Sequence, residues 1–179
     1  PMTADKADDF HAEGFDVRRL WADSASVFTR LGIDDSNIYF GTSTGMVKAI
    51  DKNSGAMLWQ THVGGSLYSR PVPLGNNLLA VPYNSGLRIV DTSGGNTVKD
   101  YPSADGPYVA DGLACGRQYF QGGYKRMEAR DSKSGKLRWT YSDMQNYCQA
   151  APVLDGNDII FGAWDTRLRC LDARNGKLR

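Results

Sequence analysis

The sequence is poor in the residues that most hydrolytic and metal chemistry uses. It has two histidines, His11 and His62, and neither stands four residues from another histidine or a glutamate. A helical zinc site of the hydrolase kind therefore has no ligands to draw on, and His62 reads as the end of the strand that carries Trp59. The three cysteines, Cys115, Cys148 and Cys170, are odd in number and form no C-x-x-C pair. That argues against a zinc site and a fully paired disulfide framework, and leaves one pair plus one buried thiol open. Charge of one sign is missing too. Lys plus Arg total 21 against 20 for Asp plus Glu, so nothing attracts nucleic acid or an anionic membrane nonspecifically, and no nucleic-acid partner is expected. No apolar run reaches the length of a transmembrane segment, and 1–9 lack the basic-then-apolar order of a secretion signal.

What is present leans to β-structure. The 20 glycines and nine tyrosines suit short strands joined by tight turns, which need positive φ at the turns and flat side chains on the pleats. Self-similarity is the strongest signal. Asp51, Asp91, Asp131 and Asp172 are spaced by 40, 40 and 41 residues, and each precedes a glycine four residues on: Gly55, Gly95, Gly135 and Gly176. Twelve residues before each aspartate stand Tyr39, Leu79, Tyr119 and Ile160. The runs 38–41 and 46–50 flank a turn-rich cluster and read as a hairpin. A short strand upstream (70–74, 151–154) and one downstream carrying Trp59 or Trp139 bring each repeat to four strands.

Four short strands in about 40 residues make one propeller blade. The fold class expected is all-β, a β-propeller of four-stranded antiparallel blades with about four blades present. Residues 1–16 read as an N-terminal tail and 17–179 as repeats, with blades near 26–62, 66–102, 106–142 and 147–179, the last without its outer strand. The segment 17–21, ending in Trp21, is strand-like and belongs to no complete blade, so the two ends are expected to complement each other. A four-bladed ring, a half-ring pairing with another chain, and a piece of a larger ring all fit.

The run Ala49, Asp51, Ser54, Gly55, Trp59 closely resembles the tryptophan-docking motif of pyrroloquinoline-quinone-like (PQQ-like) propellers, A-x-D-x-x-[ST]-G-x-x-x-W. Ala129, Asp131, Ser134, Gly135 and Trp139 repeat it. The second copy is degenerate, with Lys99 where tryptophan belongs, and the fourth has Cys170 for alanine and Asn175 for the hydroxyl residue. The resemblance covers about residues 15–179 and implies rings of about seven or eight blades, which makes a piece of a larger ring the expected arrangement. Physically the motif is structural: the Asp and Ser side chains grip the turn, glycine closes it, and the indole is buried on the next blade.

Little chemistry remains once these residues are set aside. Gly41-Thr42-Ser43-Thr44-Gly45 matches G-x-S-x-G by letter, but a nucleophile elbow needs a helix after the serine and here a β run follows. The less bland pattern is Phe28 with Arg30 and Tyr68 with Arg70, each pair two apart, so that both side chains share a face. Tyr108 continues the aromatic column with Ala110 in place of arginine. The resemblance implies that this strand lines the central channel, where arginines bind an anion or carboxylate beside stacking aromatics. The opposing expectation is interblade packing with arginine reaching to solvent. Asp111, Gln149 and Trp164 join Arg30, Arg70, Tyr68 and Tyr108 as candidate ligand-binding residues at blade edges.

The function expected is a noncatalytic scaffold or sensor, periplasmic or extracellular, that binds a protein or small ligand or the remainder of a larger propeller. Relatives that the resemblance brings in include outer-membrane assembly lipoproteins and extracellular parts of kinases. No cofactor and no metal is expected on this reading. The alternative is a section of a PQQ- and calcium-dependent alcohol or sugar dehydrogenase. For that, the resemblance implies a catalytic Asp, a calcium-liganding Glu and Asn, and adjacent cysteines, and no adjacent cysteine pair occurs.

Overall fold

Each turn aspartate is the anchor of a blade. The computed structural model describes residues 10–12, 15–17, 21, 27–103 and 105–179. Strands β1 (Phe10–Ala12) and β2 (Phe15–Val17) pair as an antiparallel hairpin. Blade 1 is β3 (Gly32–Ile33), β4 (Asn37–Gly41), β5 (Met46–Asp51) and β6 (Met57–His62). Blade 2 is β7 (Val72–Gly75), β8 (Leu78–Tyr83), β9 (Gly86–Asp91) and β10 (Thr97–Pro102). Blade 3 is β11 (Leu113–Cys115), β12 (Gln118–Gly123), β13 (Arg126–Asp131) and β14 (Leu137–Tyr141), and blade 4 is β15 (Val153–Asp155), β16 (Asp158–Ala163) and β17 (Arg167–Asp172). In every blade the strands follow chain order as antiparallel meanders, giving three four-stranded sheets and one three-stranded sheet. The described residues contain no helix.

The turn after the third strand shows why aspartate recurs. Asp51 Oδ1 accepts the Asn53 and Ser54 N–H groups and the Ser54 hydroxyl, at 3.1, 2.7 and 2.8 Å. Asp131 repeats the three contacts with Lys133 and Ser134. Gly95 closes its turn at φ 71°, and a Cβ there would meet the Trp59 ring at 2.4 Å. Glycine is thus required twice over, for the left-handed backbone and for the indole that lies on it.

The indoles link one blade to the next. The Trp59 N–H donates to Thr92 O at 2.8 Å and the Trp139 N–H to Ala173 O at 3.0 Å, each acceptor being the residue after the next blade's turn aspartate. In β6 and in β14 the tryptophan is the single buried residue, so it pins an otherwise exposed outer strand. Burying an indole removes about 150–250 Å² from water, the largest apolar contribution one side chain makes. Blade 2 lacks the tryptophan, and Lys99 does not replace it. Tyr101 does, two residues on: its hydroxyl donates to Ser134 O at 2.8 Å and its ring lies against Gly135.

Core clusters sit between blades, as face-to-face stacking requires. Tyr39, Val47 and Trp59 meet Leu79, Val81 and Val90 between blades 1 and 2. Ala80, Leu87 and Ile89 meet Tyr108 and Tyr119 between blades 2 and 3. Phe120, Met127 and Trp139 meet Ile159, Phe161 and Leu171 between blades 3 and 4.

Most of the segment 17–21 expected to complement the last blade lies outside the described residues. The Trp21 indole N–H donates to Lys52 O at 3.0 Å on blade 1. Trp21 therefore occupies, toward blade 1, the place that Trp59 takes toward blade 2. The outer edge of β17 is met by its own chain, through the Leu171 to Leu178 bridge and the Arg179 N–H to Cys170 O bond.

Candidate functional site

The loops leading into the first strands of the four blades converge on one face, where they frame a mouth. Backbone bonds fix them: the Phe28 N–H donates to Gly41 O, the Cys148 N–H to Gly123 O, and the Trp164 N–H to Tyr147 O. The Ser69 hydroxyl, fully buried, donates to Tyr108 O at 3.0 Å. These loops line a hollow of about 400 Å³ with Phe28, Arg30, Tyr68, Val109, Asp111 and Gln149, so every blade contributes. A second hollow of about 240 Å³ adjoins it, walled by Tyr68, Pro107, Tyr147 and Trp164.

Aromatic rings cover this face. Phe28 and Tyr68 meet edge to face at 6.0 Å, as do Tyr147 and Trp164 at 6.4 Å, and Tyr124 and Tyr147 lie tilted at 4.7 Å. Trp164 is 64% exposed, with Phe28 and Tyr68 about half exposed. Arginine and carboxylate add polarity. The Arg30 guanidinium, 80% exposed, stands 3.5 Å from Asp111, whose other oxygen accepts the Arg70 N–H at 2.8 Å. Arg70 itself turns inward and donates to Gly112 O at 3.2 Å, while its Nε is buried without a partner among the described residues.

The candidates Arg30, Tyr68, Asp111, Gln149 and Trp164 are therefore brought together, with Arg70 just beneath them. Tyr108 is not. It is 1% exposed, its hydroxyl donates to Glu128 Oε2 at 3.0 Å, and the Arg126 guanidinium lies 4.5 Å over its ring. Burial first, and the Glu128 carboxylate second, hold its phenol above the usual value. The correction has a structural cause. In β7 the register shifts between Pro73 and Gly75, so blade 2 has one more residue than blade 3 before the second strand: Val72 pairs with Ala80, whereas Leu113 pairs with Phe120. Val109, not Tyr108, thus takes the place of Tyr68, and Asp111, not Ala110, that of Arg70. Tyr147 and Pro107 escape a period-based reading because they stand one repeat apart and share no chemistry.

The arrangement suits recognition by stacking and ion pairing. Ser43 lies in the turn between β4 and β5, where its carbonyl accepts the Ser66 hydroxyl. The residues do not fit PQQ with calcium: among the described residues no three His, Cys, Asp or Glu side chains converge. Glu128 is clamped between Arg126 and Arg130. The three cysteines are separate thiols, and burial pushes Cys148 up to about 12. Among the described residues no helix is long and apolar enough to cross a membrane.

Comparison with known proteins agrees with this architecture. The family described as outer membrane protein assembly factor BamB matches residues 14–179. The outer membrane protein assembly factor BamB of Shewanella oneidensis is 25% identical over 153 residues, 78% of this chain and 38% of the relative. That of Yersinia pestis is 27% identical over 159 residues, 80% of this chain and 40% of the relative. The chain thus spans about two fifths of the length of these relatives. The crystal structure of BamB from Moraxella catarrhalis superposes with a TM-score of 0.76 at 24% identity, covering 85% of this chain and 51% of that one. The computationally designed Ika4 protein superposes at 0.72 with 13% identity, over 86% of this chain and 95% of that one, a likeness of fold alone. With the repeat, the blade geometry and a match over nearly its whole length, the chain belongs to the BamB family of PQQ-like β-propellers.

Proposed function

We propose that the chain is a noncatalytic scaffold segment that serves the assembly of outer membrane proteins from the periplasm, by holding a protein partner across the channel mouth. The observation that carries this is the exposed surface of Phe28, Tyr68 and Trp164 around Arg30. Contiguous apolar surface of this kind marks interaction sites, and aromatic and arginine side chains dominate the energy of protein interfaces. The relatives, assembly factors of outer membrane proteins, supply the process, and Asp111 and Gln149 supply polar partners at the rim.

The same reading assigns the open face of blade 4 to a further blade of the same repeat. Val153 and Leu168 are exposed there, and a Cβ on Gly162 would meet nothing within 4 Å. At the equivalent Gly122 a Cβ would meet Cys148 of the following blade at 2.6 Å.

The test is deletion of the gene in its own cell, followed by quantifying outer-membrane proteins. Their level is expected to fall and to be restored by the natural protein, but not by a Phe28→Ala, Tyr68→Ala, Trp164→Ala variant. No fall on deletion would remove the assembly reading, and full rescue by the variant would remove the mouth as the docking surface.

A further inference from the structure

From the same mouth a continuous furrow runs outward over blade 3. The 240 Å³ hollow shares Tyr68, Val109 and Gln149 with the channel mouth, and shares Tyr147 with a third hollow of about 650 Å³. That third hollow is lined by Tyr124, Lys125, Arg126 and Thr140, with Asp105 at its rim. Aromatic rings form the middle of the furrow and a cation stands at each end: Arg30 at the mouth, and Lys125, whose Nζ lies 5.2 Å over the Tyr124 ring.

Each end carries an accessible cation. At the mouth it is Arg30, 80% exposed and 3.5 Å from Asp111, while the Arg70 guanidinium turns inward to Gly112 O. At the outer end Lys125, Arg126 and Arg130 face Asp105 and Glu128, and Glu128 is used by the two arginines. The neighbouring Asp165 and Arg169 neutralise each other at 2.6 Å. The aromatic hollow, at about 240 Å³, is smaller than the roughly 300–1,000 Å³ of small-molecule sites and has the size for one side chain.

Resting on the scaffold reading, we propose that this furrow receives an extended peptide segment of the partner, with one aromatic or proline side chain seated between Tyr68, Tyr147 and Trp164. Acidic residues on either side of that anchor pair with Arg30 and Lys125, and Gln149 offers its amide to the peptide backbone. Aromatic-walled grooves hold extended peptides well because the rings lose little freedom on binding, and flanking ion pairs set direction and on-rate.

The experiment is fluorescence anisotropy of the purified chain with a short fluorescein-labelled peptide in which one phenylalanine is flanked by aspartates. Saturable binding is expected, weakened about tenfold by Trp164→Ala and by Arg30→Glu and weakened by added salt. A lysine-flanked version should not bind. Both substituted side chains are mostly exposed, so unchanged thermal melting certifies the fold, and Lys125→Glu tests the far end independently. Equal binding of the aspartate and lysine peptides, no saturable binding, or indifference to Trp164→Ala and Arg30→Glu would overturn the proposal. So would binding of a neutral oligosaccharide in the peptide's stead. A chain that restores outer-membrane protein levels yet fails to bind the peptide loses this proposal and keeps the scaffold reading; the reverse result does the opposite.

Discussion

Met127 and Leu168 occupy the same place in successive blades, opposite Gly122 and Gly162 in the register, yet Met127 is fully buried and Leu168 is 78% exposed. The difference lies in what covers them. Met127 has blade 4 against it, in the cluster with Ile159 and Phe161.

Stability should follow that coverage. Met127→Ala is expected to cost about 2–5 kcal/mol, whereas Leu168→Ala should stay within about 0.5 kcal/mol, measured by urea denaturation of the chain alone. A large cost at Leu168 would mean that a second copy or other chain already covers blade 4 in solution.

The Tyr101 contact gives a sharper comparison, because it sits beside the residue that the motif would have chosen. Tyr101→Ala removes the ring from Gly135 and the bond to Ser134 O, and should cost about 3 kcal/mol, near the lower end for a large aromatic. Lys99→Ala, on an exposed strand position, should cost almost nothing. Comparable losses at both positions would sink the assignment of Tyr101 as the link between blades 2 and 3.

These two cases mark how far the sequence could be read. The aspartate–glycine turns recur because local hydrogen bonding dictates them, so Asp51, Gly55 and their copies place the blades without any tertiary knowledge. Trp59 and Trp139 follow at fixed distance from those turns. Tyr101 did not, because a tyrosine two residues later reaches the same turn only once the strand register is known. Likewise Tyr108 aligned with Tyr68 by period, and the extra residue in β7 that breaks the alignment carries no turn signature. Arg30, Asp111 and Trp164 converge through loops from different blades, which no single repeat contains.

Acid should loosen the blades through the turn aspartates. The Ser93 hydroxyl, with the backbone N–H of Gly94, holds Asp91 down to about 2. Asp51 is lowered by the Ser54 N–H and hydroxyl, and Asp172 by the Arg174 guanidinium. Each folded value lies below the unfolded one, so the stabilisation is complete above the unfolded pKa of about 4 and is lost as pH falls through the folded values. Melting temperature is expected to be level from neutrality to about pH 5 and to drop between about 5 and 2. Ser93→Ala should raise the Asp91 midpoint in a carboxyl NMR titration. A melting temperature unchanged down to pH 2 would refute the linkage.

The interface between blades 2 and 3, where Tyr101 stands for the tryptophan, also holds a buried ionic cluster. Glu128 accepts the Arg126 Nε–H at 2.9 Å and the Arg130 Nε–H and NH2 group at 3.0 and 2.8 Å, and all three side chains are buried. Both arginines reach back to blade 2: Arg126 donates to the Ser103 hydroxyl at 2.8 Å, and Arg130 lies 4.9 Å over the Tyr101 ring. Glu128→Gln keeps the shape and leaves two guanidiniums facing a neutral amide, so it should cost about 3–5 kcal/mol, as breaking a buried pair does. Arg130→Met should cost less, because Glu128 keeps Arg126 and the methionine fills apolar space beside Tyr101. In the double variant the losses should not add, since each substitution removes the reason the other was costly. Additive losses would show that Glu128 and Arg130 act separately and would sink the cluster as a unit.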